Sequence, residues 1–113
     1  MEFAAEQLPN DIKHLIMKGR LDMDGSLAID MKFSIATSVK KEKIIVDLEQ
    51  VSFLSSIGIR LLVTAAKAQS GRGGRLILAA PQPMVRKVLE TSGIHQLIPV
   101  VDDVAAGQAL LAQ

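Results

Sequence analysis

The sequence predicts an α/β domain: a mixed sheet of four or five strands, with about four helices packed mainly on one face. Three observations carry this. Ile44-Ile45-Val46-Asp47-Leu48 is a short β-branched apolar run, suited to a strand buried on both sides of a sheet. After it, Ile59, Leu61, Leu62, Ala65, Ala66 and Ala68 recur at helical spacing up to Gly71, a natural helix stop. The same strand-then-helix alternation returns in the second half, which argues for parallel strands joined by right-handed crossovers.

In chain order, Phe3 to Leu8 reads as a short edge strand ended by the turn Pro9-Asn10-Asp11. Ile12 to Leu21, with Ile12, Leu15, Ile16, Met17 and Leu21, reads as a second strand hairpinned to the first. Leu21-Asp22-Met23-Asp24-Gly25-Ser26 is a polar break rich in helix-capping residues. From Leu27 to Val39 the length and flanks predict an amphipathic helix, followed by the charged connector Lys40-Lys41-Glu42-Lys43. The strand at 44–48 leads into a helix near 57–70.

Gly71-Arg72-Gly73-Gly74 is a loop before the strand 75–80. It follows a helix and precedes a strand, the reverse of a phosphate-cradling loop. Pro83 opens a helix over 83–92 carrying Met84, Val85, Val88 and Leu89. A strand at 98–101, whose proline suggests an edge, precedes a last helix at 103–111 capped by Asp102 or Asp103. The order is β-β-α-β-α-β-α-β-α, one domain over residues 1–113.

Composition narrows the function. Hydrophobic residues make up 49% of the chain and aromatics 3%, so the core is aliphatic. A net charge of +1 argues against nucleic acid as a partner. With no cysteine, thiol catalysis, thiolate metal sites and disulfides are excluded. The start Met1-Glu2-Phe3-Ala4-Ala5-Glu6 lacks a signal-peptide pattern, and no apolar run approaches membrane-spanning length. The expectation is a cytoplasmic protein without a membrane partner.

No catalytic constellation emerges, so the chain is not expected to be an enzyme and no cofactor or metal is implied. His14 and His95 are far apart and read as ordinary strand or surface residues. Asp22, Asp24 and Asp30 lack calcium-loop spacing, and helix capping accounts for Asp24. The informative place is the junction between strand and helix, where Ser55 and Ser56 stand side by side. A serine there either caps the helix, accepting a bond from an orphan amide, or accepts a phosphate favoured by the positive helix end.

Six stretches, read together, resemble the STAS domain. They are Gly19-Arg20-Leu21-Asp22, Ile44 to Leu48, Val51-Ser52-Phe53-Leu54-Ser55-Ser56-Ile57-Gly58-Ile59-Arg60, Gly73 to Leu78, Val85 to Gly93, and Ile98 to Asp102. STAS is the fold of bacterial anti-sigma factor antagonists and of the cytoplasmic tails of sulfate transporters. The family's motif at the helix start is commonly Asp-Ser-Ser-Gly or Asp-Ser-Thr-Gly. Here those positions hold Ser55, Ser56, Ile57 and Gly58, so Ser55 replaces the aspartate and Ile57 the second hydroxyl. The resemblance implies Ser56 as phosphoacceptor, with Ser55 the second choice. It implies Leu54, Ser55, Ser56, Ile57, Gly58, Ile59 and Arg60 as the partner-binding segment.

The implied function is anti-sigma factor antagonism by partner switching, a form of transcription regulation. The unmodified chain would bind an anti-sigma factor that is also a serine kinase, phosphorylation would end the contact, and a serine phosphatase would restore it. The alternative is a non-phosphorylated STAS scaffold subunit of a larger sensory or transport assembly, with Ser56 merely structural. The oligomeric state stays open.

Overall fold

The computed structural model describes residues 1–112. Its elements are β1 (Glu2–Leu8), β2 (Ile12–Leu21), α1 (Met23–Ser38), β3 (Lys43–Leu54), α2 (Ser56–Gly71), β4 (Arg75–Ala79), α3 (Pro83–Thr91), β5 (Val100–Val101) and α4 (Val104–Leu111). Short 3-10 turns lie at Pro9–Asp11 and Ile94–Gln96. The order is the one the sequence predicts. The strands form one sheet in the order β1-β2-β3-β4-β5. β1 and β2 make an antiparallel hairpin, and the remaining neighbours are parallel.

The apolar run of β3 is buried throughout because the sheet is covered on both sides there. Ile44, Val46 and Leu48 face the larger core, where they meet Ile29 and Phe33 of α1, Leu62 and Ala65 of α2, and Val85 and Leu89 of α3. Ile45 faces the other side and joins Ile12, Ile77, Ala79 and Leu111 under α4. Three helices thus cover one face and one covers part of the other. Phe3 and Phe33 meet edge to face at 6.1 Å, tying the edge hairpin to α1.

Three boundaries differ from the sequence reading. β3 runs on to Leu54 instead of ending at Leu48, because it bulges against β2: it advances from Asp47 to Phe53 while β2 advances from Ile16 to Arg20. The bulge puts Glu49 and Gln50 together on the surface and hides the strand's alternation. α1 begins at Met23, four residues before the apolar pattern suggests, and its cap is Asp22 rather than Asp24. β5 keeps only Val100–Val101: Ile98 turns into the core, and Pro99 contributes its carbonyl alone, accepting from the Leu78 amide at 2.9 Å.

His14 is a strand residue as expected, but a buried and paired one. Its Nε2 lies 2.9 Å from an Asp47 carboxylate oxygen, and Nδ1 lies 3.5 Å from Glu6. Gln69, fully buried near the end of α2, was not flagged by the sequence. Its amide nitrogen donates to the Thr37 carbonyl at 2.6 Å and the Lys40 carbonyl at 2.8 Å, and its oxygen accepts from the Glu42 amide at 2.8 Å. One side chain therefore fastens the end of α1 and the 40–43 connector to α2.

Candidate functional site

The carboxyl ends of β2 and β3 converge on the heads of α1 and α2. The Leu21 carbonyl is the meeting point. It accepts from the Ser55 amide at 2.9 Å and from the Ser55 hydroxyl at 2.6 Å. The same hydroxyl accepts from the Gly58 amide at 3.2 Å, which makes Ser55 the N-cap of α2. Ser55 therefore spends both its donor and an acceptor position on structure.

Ser56 is the first residue of α2 and is exposed. Among the described residues its hydroxyl makes no hydrogen bond. Arg60 is also exposed and stands one turn further along the same side of the helix. No acidic residue occupies the first turn of α2, so the positive end of its dipole is uncompensated there.

Gly58 is buried because the helix head presses on β2. A Cβ there would sit 2.9 Å from the Leu21 carbonyl oxygen and 2.9 Å from a Leu54 methyl carbon. The Leu21 carbonyl is already held by two Ser55 bonds and has little room to retreat. Gly58→Ala is therefore expected to destabilise the domain by about 1–3 kcal/mol, measurable by urea unfolding. Gly25 of α1 makes the same kind of approach to the Arg20 carbonyl, against which a Cβ would collide outright.

The expected partner-binding segment thus divides. Leu54 and Gly58 are buried and shape the junction from beneath. Ile59 is half-buried against the main core. Ser56 and Arg60 are open to solvent. Ile57 is half-buried and lines, with Arg60, Leu27 and Asp30, a groove of about 210 Å³ between α1 and α2.

Sequence reasoning missed the surroundings of this junction. The Arg20 guanidinium lies 4.3 Å over the ring of Phe53, itself 39% exposed, so the two strand ends present a cation–π pair beside the serines. Exposed Met84 stands at the head of α3, at the same end of the sheet. The bulge in β3 is what turns Phe53 outward, and no single-sequence pattern encodes it.

Asp22 caps α1 by accepting from the Gly25 amide at 2.8 Å. That bond, with help from Arg20, holds its carboxyl below the ordinary carboxylate value. A depressed value means the cap contributes above the unfolded-state pKa and fades as pH falls through the folded one. Asp24 and Asp30 are exposed on α1, and among the described residues no group of three or more acidic, histidine or cysteine side chains is placed to hold a metal.

A sequence profile of the STAS domain matches residues 3–107. The chain belongs to the STAS family. Among curated relatives, the chain is 31% identical over 84 residues to BtrV of Bordetella bronchiseptica, a protein provisionally named an anti-sigma factor antagonist, covering 73% of this chain and 72% of that one. It is 32% identical over 95 residues to the anti-sigma F factor antagonist of Lysinibacillus sphaericus, covering 83% and 81%. Among solved structures, the anti-sigma factor antagonist SpoIIAA in its unphosphorylated form superposes with a TM-score of 0.77 at 27% identity, over 99% of this chain and 98% of that one. The five-stranded mixed sheet with its four helices is thus the STAS architecture. No helix of the described residues is long and apolar enough to cross a membrane.

Proposed function

We propose that this STAS domain is an anti-sigma factor antagonist that works by partner switching, with Ser56 as the switch. The observation that carries the reading is the contrast at the head of α2. The Ser55 hydroxyl is committed to the Leu21 carbonyl and the Gly58 amide, while Ser56 offers a free hydroxyl to solvent. The names of the relatives supply the partner class, an anti-sigma factor.

In the unmodified state the junction presents Ser56, Arg60, part of Ile57 and the Arg20–Phe53 pair to that partner. The partner, acting as a serine kinase, holds ATP against Ser56. The Ser56 oxygen bonds the γ-phosphorus as the bond to ADP breaks, and the hydroxyl proton passes to a base on the kinase. A phosphoserine carries about −1.5 to −2 charges. The head of α2 and Arg60 accommodate it locally, so the domain stays folded while the contact surface becomes hostile to the partner. A serine phosphatase reverses the step by hydrolysis. The domain itself performs no catalysis in this scheme and acts in the cytoplasm.

Incubation with the cognate kinase and ATP should add one phosphate. Ser56→Ala should abolish it, and Ser55→Ala should retain it. The alanine variant at 56 should still bind the kinase, since a methyl group in place of a hydroxyl adds no charge. No phosphate at either serine, with binding to a non-kinase assembly instead, would decide for a STAS scaffold subunit. Ile57 in place of the family's second hydroxyl is the feature that favours that second reading.

A further inference from the structure

The exposed side of α1 is not uniformly polar: an apolar row runs between Asp24 and Lys32 on one flank and Asp30 and Ser34 on the other. Ile29 and Phe33 are buried in the core beneath it, yet on its outer side Met23, Leu27, Met31, Ile35 and Val39 recur at every fourth position, each 59–76% exposed. An ordinary surface helix turns charged residues outward, so five large apolar side chains in one row mark a covered surface. We infer that this row is a homodimer interface, in which α1 of one copy packs antiparallel on α1 of a second copy about a two-fold axis at Met31.

The geometry of an i, i+4 row selects this packing. Such rows form ridges inclined to the helix axis, and two copies of the ridge run alongside each other at a crossing of about −50°. A two-fold through Met31 sets it against its own copy and places Leu27 beside Ile35 of the second copy.

The charges beside the row select the second copy as the occupant. One flanking row is Asp24-Ala28-Lys32 and the other is Asp30-Ser34-Ser38. In the antiparallel dimer each flanking row meets its own reversed copy. Asp24 then faces Lys32 and Lys32 faces Asp24, with Ala28 against Ala28 between them, and Asp30 faces the Ser38 hydroxyl. A parallel pairing would instead bring Asp24 beside Asp30. Opposite charges at both ends of a self-reversing row are what a self-complementary isologous contact requires. The acids at the amino end also disfavour an anionic membrane surface, which calls for a basic margin.

A single helix seam is smaller than a standard stable interface, so the expected association is in the micromolar range. Analytical ultracentrifugation from about 1 μM to 1 mM should show a reversible monomer–dimer equilibrium. Met31→Glu sets two carboxylates on the axis and should weaken it at least about thirtyfold. Measured at concentrations below the dissociation constant, its melting temperature should match wild type, because Met31 is solvent-facing in the monomer. Lys32→Asp should weaken the dimer, and the double variant Asp24→Lys, Lys32→Asp should restore it. A chain that stays monomeric over the range overturns the inference, as does a dimer indifferent to Met31→Glu. A monomeric chain whose capture of an anti-sigma factor is lost in Met31→Glu would assign the row to that partner and equally overturn it. None of these measurements depends on Ser56, so they stand apart from the switch.

Discussion

Ser56→Asp is expected to leave the domain's melting temperature unchanged and to weaken binding to the anti-sigma factor about thirtyfold to several thousandfold. The two halves of this expectation have separate physical causes. Aspartate in the first turn of a helix is favoured by the unpaired amides and the positive dipole end, so the fold tolerates it. At an interface the same carboxylate must be stripped of water without a partner, at a cost of about 2–5 kcal/mol. Isothermal calorimetry with the purified partner, set beside thermal unfolding of each variant, separates the two. A residue that is only structural would lose stability and binding together or lose neither. Equal binding by Ser56→Asp and wild type, with no phosphate on protein taken from cells, would end the switch reading.

Gln69→Leu is expected to destabilise the domain by about 3 kcal/mol or more, a large share of the stability of a chain this size. Leucine has a similar volume but leaves the Thr37 and Lys40 carbonyls and the Glu42 amide without their partner. Each unsatisfied buried group costs about 1–3 kcal/mol. Urea unfolding monitored by circular dichroism would read the loss as a lowered midpoint. The Ser56 site lies at the opposite end of α2, so binding measured well below the transition should change little. A Gln69→Leu variant as stable as wild type would mean that water reaches these groups, and that the connector is held by Lys13 instead. That lysine bridges the Ala36 carbonyl at 3.1 Å and Glu42 at 2.7 Å.

How much was legible in the chain can be argued from particular residues. The run Ile44 to Leu48 announced a doubly covered strand because β-branched residues on both faces suit only that environment. The β3–α2 junction with its two serines was legible because strand, hydroxyl, glycine and helical stripe occur in immediate succession. The STAS resemblance rested on the same local order. Which serine caps the helix was not legible, since either can do so in isolation. The choice follows from β2: its Leu21 carbonyl stands where Ser55, and not Ser56, can reach it.

Sequence by itself determined the elements, their order and the α/β class, because periodicity and capping act over a few residues and are written locally. Tertiary structure alone decided the rest. It buried Leu54 and Gly58 beneath the junction. It joined Arg20 to Phe53 across two strands and turned Gln69 into a fastener between segments about thirty residues away. It also left the Met31 row of α1 uncovered, although that helix reads as amphipathic in sequence. The physical reason is the same in each case. Burial and hydrogen-bond partnership belong to pairs of surfaces, and the second surface lies elsewhere in the chain.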